Sequence, residues 1–189
     1  YIIGDEIYFD TIYGASKFYS VLKYDYDKSI ALYSLSKSHA MTGFRLGWII
    51  ANNTIIKELK KDVQLIYTNV PVFIQYAGLK ALNKPEIIER NRRIYSRRVK
   101  LLDNKLKSLG FKYTYPDAAF YIFAKIPENI ADGSKFVYDL LDKKGVALAP
   151  GSAFGNYSNF VRFSASITEG EIKAAMEKLE EYITEITKA

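Results

Sequence analysis

The sequence has no cysteine, and it has a single histidine and a single tryptophan among 189 residues. Without cysteine there is no disulfide, no thiolate metal ligand and no thiol nucleophile. One histidine with no serine–histidine–acid pattern around it gives no hydrolase arrangement. No metal site is expected. Also missing are an apolar run long enough to span a bilayer, a signal-peptide pattern, an internal repeat and a low-complexity tract. We therefore expect no membrane partner and a cytoplasmic location. Neither sign of charge dominates. The net charge of +6 favours anionic ligands such as phosphates and carboxylates only mildly.

What is present is globular in texture: 49% of residues are apolar and 25% charged, which argues against wholesale disorder. Three segments, Tyr1–Gly4, Ile30–Leu35 and Arg45–Ala51, are nearly continuous apolar runs, as expected for strands covered on both faces. The chain opens on Tyr1-Ile2-Ile3-Gly4, a strand already in progress with no initiator methionine, so we expect the C-terminal part of something longer. Ile55, Leu59, Val63 and Ile66 recur at helical spacing, and Pro71 opens a second helix reaching about Leu82. A long amphipathic helix is predicted from Pro85 to Leu109. Its stripe is Ile87/Ile88, Ile94/Tyr95, Val99, Leu102, Leu106 and Leu109, and Gly110 closes it. Beyond it, Phe111–Tyr115 and Ala119–Ala124 are expected to form an antiparallel pair joined by Pro116-Asp117. A helix is expected over Ser134–Lys144, strands over Val146–Ala149 and Phe160–Ala165, and a final helix capped by Thr168. Residues 1 to about 75 thus read as the end of a parallel α/β domain, and those from about 110 as an α+β domain.

The chemistry concentrates in Ser34-Leu35-Ser36-Lys37-Ser38-His39-Ala40-Met41-Thr42-Gly43-Phe44-Arg45-Leu46-Gly47. A lysine comes directly after an apolar strand, and an arginine stands eight positions later. An amine that can condense with an aldehyde, beside hydroxyls and a guanidinium that can hold a phosphate, suits pyridoxal phosphate (PLP). Asp5 ends the first strand, where open α/β sheets bind ligands, and Tyr8 lies three residues on. Taken alone, Asp5 equally fits a strand-end carboxylate capping a turn. Ser34, Ser36 and Arg45 equally fit a polar loop, with Gly43 and Gly47 as ordinary turn glycines. Arg162 alternates with apolar residues in Asn159-Phe160-Val161-Arg162-Phe163-Ser164-Ala165. Burying such a cation is costly unless it meets an anion, and the bland reading is an arginine facing solvent.

The run from Ser34 to Gly47 resembles, position for position, the lysine motif of class I/II (fold-type I) PLP-dependent aminotransferases, aspartate aminotransferase-like ones included. The resemblance extends from Asp5 to the final helix and covers about half of a family member. It implies a C-terminal portion of that α/β transferase fold: residues 1–75 from the end of the large, mostly parallel-sheet PLP domain, 76–110 as a long linking helix region, and 111–189 as the small α+β domain. It implies Lys37 as the residue that binds PLP covalently and then moves the proton at the substrate α-carbon. Asp5 would pair with the pyridine nitrogen and Tyr8 with the phenolic oxygen, while Ser34, Ser36 and Arg45 hold the phosphate. Arg162 would clamp the substrate carboxylate, and Phe120 matches a pocket-lining aromatic, although it also reads as core. Gly145–Gly155 resembles the loop leading into the arginine strand. Thr68 and Asn69 resemble a segment that crosses a dimer interface, so a homodimer is implied. His39 falls at a position the family leaves free.

The implied reaction moves an amino group between an α-amino acid and a 2-oxo acid, with aspartate or aromatic substrates the guess from family frequency. Carbon–sulfur lyases share the fold and the motif, and the alternatives are such a lyase or an aminotransferase-like ligand domain of a DNA-binding regulator. The basic cluster Arg90, Arg92, Arg93, Arg97, Arg98, Lys100, Lys105 and Lys107 on the long helix is the best argument for nucleic acid. Glu86, Glu89 and Asp103 interrupt it, so it reads as a solvated helix face and no nucleic-acid partner is expected.

Overall fold

The aliphatic residues of Ile2–Asp5 (β1), Ser29–Ser34 (β2) and Gly47–Ala51 (β3) build a three-stranded sheet, seen in a computed structural model that describes residues 1–188. β1 runs parallel to β2, and β3 pairs antiparallel with the other edge of β2. This sheet belongs to one unit, residues 1–93 with 117–119, and the remaining residues form a second unit. In the first, α1 (Leu35–Ser38) comes directly after β2. α2 (Asn53–Tyr67) starts at Asn52, whose side chain accepts the Ile55 N–H at 3.0 Å. α3 (Val72–Leu82) opens after Pro71, and α4 (Pro85–Ser108) begins in this unit.

The expectation of strands covered on both faces is corrected. Ile2, Ile3, Ile49 and Ile50 are exposed, as are Leu65 (85%), Ile66 and Tyr67 on α2 and Val72, Phe73 (72%) and Tyr76 on α3. A cavity of about 630 Å³ beside β3 and α2 is lined by Leu32, Trp48, Ile56, Leu59 and Val63 among others. Apolar composition records that a surface favours cover, and residues 1–188 do not supply that cover.

The second unit has the better-packed core. From α4 come Tyr95, Val99, Leu102 and Leu106, at the spacing read in the sequence, and they are buried with Phe111, next to Gly110 in its left-handed turn (φ 82°). Strands β4 (Tyr121–Lys125), β5 (Ala149–Pro150) and β6 (Phe160–Ser164) form an antiparallel sheet in the order β4-β6-β5. α5 (Gly133–Lys144) and α6 (Glu169–Lys188) contribute Phe136, Val137, Leu140, Ile172, Met176 and Leu179 to the core. Full burial of such side chains contributes about 1.5–3 kcal/mol each. Thr168 and Glu171 open α6 with a reciprocal pair of bonds: the Thr168 N–H donates to Glu171 Oε2 at 2.8 Å, and the Glu171 N–H to Thr168 Oγ1 at 3.3 Å.

Two expectations differ here. Phe111–Tyr115 and Ala119–Ala124 do not pair as a hairpin: only Lys112 bridges Lys125, and β4 takes β6 as its partner instead. The Asp117 carbonyl accepts the N–H groups of Tyr13 and Gly14, and Ala119 turns left-handed (φ 64°), which ends any regular pairing there. The strand expected over Val146–Ala149 is reduced to Ala149–Pro150, opposite Arg162 and Val161. On the basic face of α4, Glu89 pairs with Arg92 and Arg93, Arg97 with Glu169, Lys105 with Glu180 and Lys107 with Asp103. Among the described residues no helix is long and apolar enough to cross a membrane.

Candidate active site

Register sets the stage. Asp5 lies opposite Leu32, so the carboxyl ends of parallel β1 and β2 fall on the same edge of the sheet. Asp5 is exposed there, two strand positions short of the level of Ser34. The next residue, Glu6, turns into the interior. Its carboxylate accepts the Val21 N–H at 2.8 Å and the Tyr33 hydroxyl at 2.5 Å. Burial and this bond push the Tyr33 hydroxyl above its ordinary value, and its ring stacks on Trp48 with centroids 5.7 Å apart. Tyr8 is half-buried before a 3-10 turn (Phe9–Thr11), its carbonyl accepting the Thr11 N–H and hydroxyl.

Lys37 sits half-buried on α1, a single helical turn. Ser34 caps that turn: its backbone is extended and its Oγ accepts the Ser36 N–H at 3.0 Å. The Ser34 Oγ also lies 2.9 Å from the Ser36 Oγ and 3.1 Å from the Leu46 carbonyl oxygen. Two non-glycine residues in the left-handed region bracket the segment after α1, Ala40 (φ 55°) and Arg45 (φ 52°). Such conformations cost of order 1–3 kcal/mol and collect at functional sites. The exposed Arg45 turns its Nη1 back to the Thr42 carbonyl at 2.9 Å. Gly47 is more than a turn glycine. A Cβ there would lie 2.6 Å from the Tyr33 carbonyl oxygen, whereas one at Gly43 would meet nothing within 4 Å. Gly47→Ala is expected to cost about 1–3 kcal/mol, read by urea unfolding monitored through Trp48, the single tryptophan.

The donor set fits PLP chemically. Lys37 offers an amine for an aldehyde, Ser34, Ser36 and Arg45 offer hydroxyls and a guanidinium for a phosphate, and Asp5 offers a carboxylate for a pyridinium. These residues share the first unit, and Arg162 and Phe120 lie in the second. Arg162 occupies the middle of β6, opposite Phe123 and Ala149. Its guanidinium carbon lies 4.5 Å from the Tyr121 ring centroid and 4.7 Å from that of Phe154. Phe120 is 5% exposed, with Tyr95 and Tyr121 at centroid distances of 4.8 and 4.6 Å. It is a core residue in this unit.

Sequence reading missed three supports. Glu6 braces the strand ends, Thr42 Oγ1 donates to the Ser36 carbonyl at 2.9 Å, and the amide of Asn91 reaches the Ser38 carbonyl at 2.9 Å. A signal for Asn91 existed: it is a polar residue on the apolar stripe of α4, between Ile87/Ile88 and Ile94/Tyr95. Asp10 carries no such signal in its local sequence. Burial raises its carboxyl above the ordinary value, against the opposing charges of His39 and Arg92. A raised carboxyl favours the folded state below the ordinary range and loses that contribution as pH climbs through its folded value. The stability advantage of wild type over Asp10→Asn is therefore expected to shrink as pH rises from 4 to 7 in urea titrations.

A model of the Aminotransferase class I and II family matches residues 1–179. A (5-formylfuran-3-yl)methyl phosphate transaminase of Methanocaldococcus jannaschii is 38% identical over 97% of this chain and 50% of its own length. An aspartate aminotransferase of Pyrococcus horikoshii is 36% identical over 95% of this chain and 47% of its own. The crystal structure of an aromatic aminotransferase from Pyrococcus horikoshii superposes with a TM-score of 0.91 at 35% identity, covering 97% of this chain and 51% of that one. The chain spans about half the length of the curated relatives it matches. With a matching family model over nearly its whole length and a lysine turn of the right chemistry, the chain belongs to the class I and II aminotransferases.

Proposed function

We propose that the protein binds PLP covalently through Lys37 and transfers an amino group between an α-amino acid and a 2-oxo acid. The observation that carries this reading is the Ser34-capped turn that bears Lys37, with the Ser34 and Ser36 hydroxyls bonded to each other on it and Arg45 in a left-handed conformation eight residues on. The chemistry PLP supplies when bound is an electron-accepting ring that stabilises negative charge at the substrate α-carbon. Lys37 would anchor the cofactor through its amine and would hold and move the proton at the substrate α-carbon. Asp5 keeps the pyridine nitrogen protonated, and Tyr8 donates to the phenolic oxygen. Ser34, Ser36 and Arg45 hold the phosphate, Arg45 by charge-assisted bonds. Arg162 receives the substrate carboxylate, and Phe120 acts from the core by fixing Tyr121, whose ring the guanidinium touches.

In this reading residues 1–75 close the large PLP domain, 76–110 link, and 111–189 form the small domain. A homodimer is part of it, supported by the resemblance of Thr68 and Asn69, between α2 and α3, to the family segment that crosses a dimer interface. The cytoplasmic setting rests on the family alone. Aspartate and aromatic amino acids are the proposed substrates, supported by the names of the relatives.

The test is product analysis of the PLP-saturated protein with aspartate or phenylalanine and 2-oxoglutarate. Formation of the matching 2-oxo acid in step with glutamate is expected. Ammonia released in place of glutamate would overturn transfer in favour of a lyase.

A further inference from the structure

We propose that Asn91 is a positioning residue for Lys37, fixing the turn that carries it from a distant part of the chain. α1 is one helical turn, so its four carbonyls have no helix beyond them to receive their bonds. Each finds a different donor. The Leu35 carbonyl takes the N–H groups of His39 and Met41, the Ser36 carbonyl the Thr42 hydroxyl, and the Lys37 carbonyl the Ala40 N–H. These donors lie within seven residues of their acceptors and travel with the turn itself. The Ser38 carbonyl instead takes the Nδ2 of Asn91, 53 residues away on α4. That bond is buried: Asn91 is 6% exposed, Ser38 3% and His39 6%.

The surroundings make the bond hard to replace. The Ser38 hydroxyl is engaged with Nδ1 of His39 at 2.8 Å, and Nε2 of His39 is buried without a partner. A carbonyl left buried and unpaired drives the turn to move. The turn's other carbonyl bonds are local and its Leu35 N–H is held by the Leu46 carbonyl at 3.3 Å, so loss of the Ser38 bond frees the end of the turn next to Lys37. Asn91 is outside the set of residues proposed to hold cofactor or substrate. It acts by limiting where the amine can point, and catalytic geometry is sensitive to displacements of that order.

The inference rests on the Schiff-base reading of Lys37, and the experiment separates the two. The purified chain is titrated with PLP, trapped with borohydride and mapped by mass spectrometry, with Lys57 and Lys61 on exposed α2 as internal references. Native hydrogen exchange at the Ala40 and Met41 amides is measured in parallel. Asn91→Leu, which keeps volume and removes the donor, is expected to lower the ratio of Lys37 adduct to reference adduct at least fivefold. It should also speed exchange at the two amides about tenfold. Asn91→Gln is expected to restore both, which a loss of mere packing would not explain. Asn91→Ser, too short to reach, carries the same expectation as Asn91→Leu should the leucine variant not fold. A wild-type preference for Lys37 that Asn91→Leu or Asn91→Ser leaves intact overturns the positioning role alone. A wild-type chain with no preference for Lys37 overturns the Schiff-base reading and this inference with it.

Discussion

Lys37→Ala is expected to abolish site-specific PLP attachment while leaving the fold intact. Covalent capture requires a primary amine, and in the proposed reading Lys37 supplies it from the capped turn after β2, with the Ser34 and Ser36 hydroxyls as the neighbours that would hold a phosphate. Other lysines, such as Lys57 and Lys61, stand on the exposed face of α2 without such neighbours and should give only scattered adducts. Lys37→Arg makes the sharper variant. It keeps the charge and much of the side-chain volume, but the guanidinium stays protonated and forms no adduct. Both variants should melt close to wild type, because a half-buried lysine at a turn contributes little to packing. Borohydride trapping with peptide mapping reads the result. In a turnover assay the loss of the proton carrier is expected to remove about 10²–10⁴ of the rate, in addition to the loss of anchoring. Adduct persisting at its wild-type level in Lys37→Ala would place the attachment on another lysine.

The second large effect is expected at Arg162. A guanidinium in the middle of a strand, held against two aromatic faces, loses rotational freedom yet keeps edge N–H groups for an anion. Two parallel hydrogen bonds to a carboxylate use that planar edge. Arg162→Ala is expected to weaken amino-acid binding by about 2–5 kcal/mol, roughly 30-fold to several-thousand-fold in KM. Arg162→Lys should recover part of that loss, because a point charge remains but the fork does not. PLP trapping at Lys37 serves as the control and should be unchanged. A KM unaltered in Arg162→Ala would remove the clamp.

The parts legible in the sequence are those written locally. The Ser34–Gly47 run could be read because its groups lie within a few turns of one another. α4 was legible because a 3.6-residue stripe persists from Ile87 to Leu106, and the start of α6 because Thr168 is a capping residue directly before it. What escaped depends on distant partners. Asn91 and Ser38 are 53 residues apart, and the pairing of Glu6 with Tyr33 crosses from β1 to β2. The expected hairpin at Pro116-Asp117 failed for the same reason: the backbone bonds of Asp117 go to Tyr13 and Gly14, more than a hundred residues earlier. The aromatic bed of Arg162 combines Tyr121 from β4 with Phe154 from the short 3-10 helix Gly151–Phe154, and no local pattern predicts that meeting.

The apolar side chains laid bare on β1, β3, α2 and α3 also govern how the molecule behaves on the bench. Surface of that kind binds environment-sensitive dyes, clings to alkyl chromatography resins and becomes stickier in sulfate or phosphate buffers, which strengthen apolar association. Cooling weakens the same attraction, because its driving force near room temperature is the entropy of water. Expression and storage in the cold, at low sulfate and modest concentration, therefore suit this chain better than the salt-rich conditions that often help compact enzymes.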